Sequence, residues 1–255
     1  MFNIATVVGP SIAGLTYAAM GPAWCFTLNG LSFIAVIVAL LLMRIKLEAQ
    51  SLRRPVALAE LGEGIHYVLG NRMILSLIAS VGVVSIFGIG MMNMLPAWAT
   101  DVLHGDVTTN GWLVSARGLG SMISALMLAY WGLHKLRGRL WTAGTIVMPV
   151  MLFVFAWIRL LPLSLVALLG VGWGFMMVTT NAQAVVQSLV PDNLRGRVMG
   201  VYTLVFFGSM PVGALLAGAL AGKIGEPLTV MAGAVLLLVL AIAAWLFLPD
   251  IRRQA

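Results

Sequence analysis

"LSLVALLGVGWGFMMVTTNAQAVVQSL", Leu163 to Leu189, carries no charged residue. A helix that spans a bilayer needs about 20 mostly apolar residues, each rising ~1.5 Å. This stretch meets that length, but it is not uniformly apolar. Trp173, Met176, Thr180, Gln183 and Gln187 recur at intervals of 3, 4, 3 and 4, which places them on one helical face. Such a stripe could line a water-filled route through the membrane, with the thioether adapting to varied ligands. It could equally approach the membrane interface, where Gln183 and Gln187 bond to neighbours.

The rest of the chain repeats the pattern. Apolar residues make up 61% of it and charged residues 9%, against about 45–50% and about 25% in ordinary soluble domains. No soluble fold of this length hides so much apolar surface, so lipid must solvate most of it. Eight spans are predicted: Phe2–Met20, Pro22–Met43, Met73–Thr100, Thr109–Leu133, Leu140–Ile158, Leu163–Leu189, Val198–Gly222 and Leu228–Leu248. The fold class is therefore all-α and polytopic. The lipid bilayer is its first partner.

Charge orients the spans. Arg44, Lys46, Arg53, Arg54, Arg72, Lys135, Arg137, Arg139, Arg195, Arg197, Arg252 and Arg253 fall on one side, and Arg159 and Lys223 on the other. Positive residues gather on the cytoplasmic side, so both termini are expected in the cytoplasm. The net charge of +7 comes from these clusters and is no nucleic-acid signal. Between the second and third spans, Leu58, Leu61, Ile65, Val68 and Leu69 recur at helical spacing with Glu60 and Glu63 between them. Pro55–Arg72 thus reads as an amphipathic helix on the inner membrane surface.

Shifting the chain by 204 residues lays Gly9 on Gly213, Gly14 on Gly218 and Gly21 on Gly225. The first two spans then echo the last two, the signature of a repeat. If the last six spans form one unit, the first two are the tail of another. The expected organisation is residues 1–43 as the end of an N-terminal six-helix half and 44–72 as a cytoplasmic linker. Residues 73–250 form a C-terminal six-helix half, and 251–255 a tail. The chain would then start mid-protein, with the missing half supplied by a longer protein or a partner chain.

Three stretches carry a family resemblance. "VPDNLRGRVMGVYTLVFFGSMPVGALLAG" (Val190–Gly218), "GPAWCFTLNGLSF" (Gly21–Phe33) and "GLHKLRGRL" (Gly132–Leu140) resemble the major facilitator superfamily, in its bacterial exporter branch of enterobactin and drug efflux proteins. The likeness covers helices five to twelve of twelve. Gly132, Arg137, Gly138 and Arg139 fit the family's cytoplasmic loop signature without its usual acidic residue, and Arg195, Gly196 and Arg197 form a second loop motif. Gly9, Pro10 and Gly14 resemble the antiporter motif of the fifth helix, with Ala13 in place of one of its glycines. Proline bends a helix and small residues let neighbours approach, so the motif suits a pivot. Gly and Pro are also simply commoner in membrane helices.

The resemblance implies export of a small molecule by alternating access in the bacterial inner membrane, coupled to an ion gradient, with protons as the coupling ion. The alternative is a truncated non-transporting membrane protein with a regulatory or scaffold role. No cofactor is implied, and no enzyme. His66, His104 and His134 lie on different loops, and no catalytic motif is present.

Arg117, in "TTNGWLVSARGLGSMISA", is the one full charge deep in a span. Such a residue costs about 2.5–3.5 kcal/mol to insert and usually faces a cavity or a partner. It lies ~12 Å below Thr109. It reads as an anion contact or gating group, or as a side chain that snorkels outward or pairs with a structural carboxylate. Met92 and Asn93 are further path candidates. Pro149 and Pro211 are mid-helix kinks or hinges.

Overall fold

The computed structural model describes residues 16, 19–42, 57–131 and 137–247. Gly9, Pro10, Gly14 and Gly132 lie outside them, as does nearly all of the first predicted span. Among the described residues every regular element is helical. They run α1 (Pro22–Leu42), α2 (Ala57–Gly70), α3 (Arg72–Val102), α4 (Val107–Trp131), α5 (Arg137–Trp157), α6 (Leu161–Leu189), α7 (Asp192–Ile224) and α8 (Glu226–Phe247). All except α2 contain stretches long and apolar enough to cross a membrane, and the chain is a multi-pass membrane protein.

Helices α3 to α8 form one bundle, and its tightest seams are glycine seams. A Cβ on Gly172 of α6 would collide with the Arg117 carbonyl of α4, and one on Gly120 with the Leu169 carbonyl of α6. Ser121 Oγ adds a hydrogen bond to the Gly172 carbonyl at 3.1 Å. Gly144 of α5 and Gly174 of α6 likewise let those helices touch backbone to side chain. With no strong hydrophobic drive between helices in lipid, such close approach supplies the packing energy.

The predicted amphipathic helix forms, but it is not simply laid on a surface. Gly64 faces the Arg197 carbonyl so closely that a Cβ would stand 2.9 Å away, and Val68 is buried. Arg197 pairs with both Glu63 and Glu60, the latter at 3.4 Å. Helix α2 is thus docked on the first turns of α7. Charges that read from sequence as a solvated face are spent on a tertiary contact, while Ile65 and Leu69 stay exposed.

Helices α5 and α8 both keep exposed faces. Each also carries a buried stripe: Met148, Leu152 and Phe155 on α5, and Val230, Ala234 and Leu237 on α8. Helix α7 is the more open one, with Leu204, Phe207, Val212 and Leu215 exposed along it. Two turn glycines have a positive φ just before a helix start, Gly21 at +80° and Gly225 at +81°, a conformation that favours glycine.

Candidate functional site: a polar cavity beside a broken helix

Helix α3 does not run straight through the membrane. It is α-helical over Arg72–Val84, π-helical over Ser85–Ile89, briefly α-helical over Gly90–Met92, and irregular at Asn93 and Met94. A short turn Leu95–Ala97 and a second π-helical piece, Trp98–Val102, complete it. The sequence accounts for the break. Pro96 has no N–H, and its ring clashes with the carbonyl four residues back, that of Met92. The chain tightens instead: Asn93 N donates to the Gly90 carbonyl at 3.4 Å and Met94 N to the Met91 carbonyl at 3.2 Å.

Both flanks of the break are fixed. On one side Gly90 meets Gly213 of α7 backbone to backbone. On the other, Trp98 stacks on Phe155 of α5 at 4.6 Å between ring centroids, and the Arg159 guanidinium lies 5.4 Å over the Trp98 ring. Arg159 also donates to the Ala156 carbonyl at 2.8 Å, so the clamp is itself anchored.

Irregular backbone at membrane depth is tolerated where it lines a cavity. Here it does. A cavity of about 240 Å³ is lined by Ile89, Met92, Asn93, Leu95 and Pro96 of α3 and by Asn110, Val114 and Arg117 of α4. Arg117 stands ten residues into α4, ~15 Å along a helix, which is half of a ~30 Å hydrocarbon core. Its backbone is pressed against Gly172, so the side chain is directed by a rigid seam. Nε of Arg117 and Oδ1 of Asn110 are both shut from solvent and lack a hydrogen-bond partner among the described residues. No described carboxylate pairs with Arg117. Asp101 accepts from Thr100 Oγ1 at 2.7 Å. Asp106 caps α4, accepting from Thr109 N at 2.9 Å and Thr109 Oγ1 at 3.1 Å. Those bonds hold the exposed Asp106 carboxyl below the usual aspartate range.

The cavity brings together three residues singled out from the sequence, Met92, Asn93 and Arg117. The α6 stripe is not part of its wall. Trp173, Met176 and Thr180 are partly exposed, and Gln183 and Gln187 exposed, which leaves one open face along α6. Trp173 is tethered, its Nε1 donating to Met127 Sδ of α4 at 3.2 Å. The opposite face of α6 is buried: Asn181 Nδ2 donates to the Met177 carbonyl at 2.8 Å, and Tyr202 Oη of α7 to the Thr179 carbonyl at 2.9 Å.

Pro149 of α5 is buried and lines an apolar groove with α3 and α8, apart from the polar cavity. Pro211 is exposed on α7, two residues before the Gly213 crossing. Of the loop motifs, Arg137, Gly138 and Arg139 form the first turn of α5. Arg195 pairs with Asp192 at 2.7 Å and donates to the Gln187 carbonyl at 3.1 Å. Gly196 has open space where a Cβ would stand, and Arg197 holds α2.

Asn110 was missed from the sequence. It stands seven residues before Arg117, two turns of one helical face, so the signal was present in the spacing.

Comparison with known proteins agrees with this architecture. A family profile described as transmembrane secretion effector matches residues 1–254. A multidrug efflux pump, Tap, of Mycolicibacterium fortuitum is 28% identical over 99% of this chain and 62% of its own length. Tap of Mycobacterium tuberculosis is 27% identical over 91% of this chain and 56% of its own. The enterobactin exporter EntS of Escherichia coli is 26% identical over 98% and 60%. The chain therefore spans somewhat under two thirds of the length of these relatives.

Proposed function

Since the chain belongs to the transmembrane secretion effector family of the major facilitator superfamily, we propose that it takes part in exporting a small molecule across a bacterial inner membrane by alternating access. The reading rests on one observation above others: Arg117, halfway along a span, has a buried Nε without a hydrogen-bond partner and no carboxylate partner among the described residues, in a cavity at a helix break. A buried cation without a counter-charge is costly, and it persists where a ligand or a moving partner meets it. The efflux function named for the relatives fits that role. In this reading Met92, Asn93 and Arg117 line the substrate path, and the open α6 face of Trp173, Met176, Thr180, Gln183 and Gln187 extends it.

Residues 73–250 act as a six-helix half, residues 1–43 as the last two helices of the other, and 44–72 as the cytoplasmic linker between them. Both termini are cytoplasmic, and proton flow drives the cycle. The docked α2 and the Arg197 pairs tie the linker to the half that moves.

Inside-out vesicles carrying the chain test this. Under an imposed proton gradient they should take up at least one member of a panel of anionic and neutral fluorescent amphiphiles faster than vesicles without it, and a protonophore should abolish the difference. Uptake equal to that of empty vesicles across the panel would sink the export reading.

A further inference from the structure

We propose that Arg117 and Asn110 form a subsite for a carboxylate that bears a hydrogen-bond donor on the neighbouring carbon, as in a 2-hydroxy acid. The inference rests on the transport path proposed above, because a polar ligand reaches mid-membrane depth only along such a path.

Three features carry it. The first is the charge balance. Every described Asp or Glu sits at a span end or on α2, so the Arg117 guanidinium has no internal counter-ion within reach among the described residues. A planar fork of donors in a low-dielectric site favours a carboxylate, which can accept from it in a bidentate manner. The second is the Asn110 carbonyl oxygen, also buried and unpartnered, two turns from Arg117 on the same wall. It is the amide oxygen, not its NH2, that stands buried and unpartnered, so a ligand hydroxyl or N–H is the group that would satisfy it. A buried acceptor left unpaired is costly, so a ligand that satisfies it is favoured over one that does not. The third is size. About 240 Å³ is below the ~300–1,000 Å³ of complete ligand pockets, so the cavity holds one end of a molecule and leaves the rest to the open path. Apolar Ile89, Leu95 and Val114 complete the wall, and they suit an apolar continuation from the polar head.

Equilibrium binding of radiolabelled mandelate to the purified full chain in lipid nanodiscs tests the proposal. Phenylacetate, which lacks the hydroxyl, and 1-phenylethane-1,2-diol, which lacks the charge, serve as competitors. Mandelate should bind saturably, phenylacetate should compete at least tenfold less well, and the diol should not compete. Arg117→Gln should abolish mandelate binding, and Arg117→Lys should restore part of it. Asn110→Ala should weaken mandelate while leaving phenylacetate unchanged, a split that mere unfolding cannot produce. Absence of saturable mandelate binding overturns the proposal, and so does equal binding by Arg117→Gln. A protein carboxylate that occupies Arg117 would give the first of these results. The outcome is separable from the export reading. Gradient-driven dye uptake without mandelate binding sinks the subsite alone, whereas mandelate binding without any driven uptake sinks export alone.

Discussion

Helices α1 and α6 are both long, apolar and uncharged, and α1 has the higher hydropathy of the two. Yet no residue of Ala23–Leu42 is buried, while α6 buries Ala167, Leu168, Val171, Met177, Val178, Ala182 and Val186. The difference lies in small residues and their neighbours. Gly30 of α1 has open space where a Cβ would stand, whereas Gly170, Gly172 and Gly174 of α6 are each pressed by α4 or α5. Apolarity selects the solvent, lipid over water. Shape selects the partner helix, because lipid tails are as apolar as leucine.

The sharpest way to break this comparison is to place the same side chain at both glycines. Gly172→Leu should destabilise the bundle by about 3 kcal/mol or more, since the blocking atoms are backbone and cannot rotate away. Gly30→Leu should change stability by less than ~0.5 kcal/mol. Unfolding in mixed micelles, followed by circular dichroism, reads both. Similar losses would show that α1 has a packing partner of its own.

The second test separates packing from function on α4. Arg117→Ala removes the charge but not the backbone contact with Gly172, so membrane insertion and thermal stability should stay near wild type. Gradient-driven uptake in inside-out vesicles should fall at least tenfold. Unchanged uptake would move Arg117 out of the path.

A smaller effect is expected at α2. Its ion pairs with Arg197 are partly exposed, and such pairs contribute about 0–1 kcal/mol. Arg197→Ala should therefore leave the bundle intact but speed proteolytic cleavage within residues 57–70. Cleavage at the wild-type rate would show that the Gly64 contact alone holds the helix.

The smallest effect concerns the cap of α4. Asp106 has its carboxyl lowered by its bonds to Thr109, so its contribution is present above the ordinary aspartate range and is lost as pH falls through the lowered value. Asp106→Asn should abolish this acid dependence, measured as amide exchange at Thr109 and Asn110. Equal exchange in both proteins at every pH would remove the cap from the account.

Much of the site was legible in advance. Arg117 declared itself as a lone charge in an apolar run, and Asn93 and Met92 were named as path candidates in the third predicted span. That they share a cavity was not legible, because they lie on different helices and no local pattern encodes which faces meet. Asn110 was readable only in hindsight, from its seven-residue spacing to Arg117. The docking of α2 was obscured for another reason: glutamates between apolar residues look the same whether water or an arginine covers them.

The lipid solvent, the helical class and the family were legible without the structure, because hydropathy and the loop motifs are local properties. Which glycines became seams, where α3 breaks, and that Arg117 has no counter-ion among the described residues emerged only from the folded bundle. Those depend on distances between segments far apart in the chain, and in a bilayer the close fit of backbones decides which segments those are.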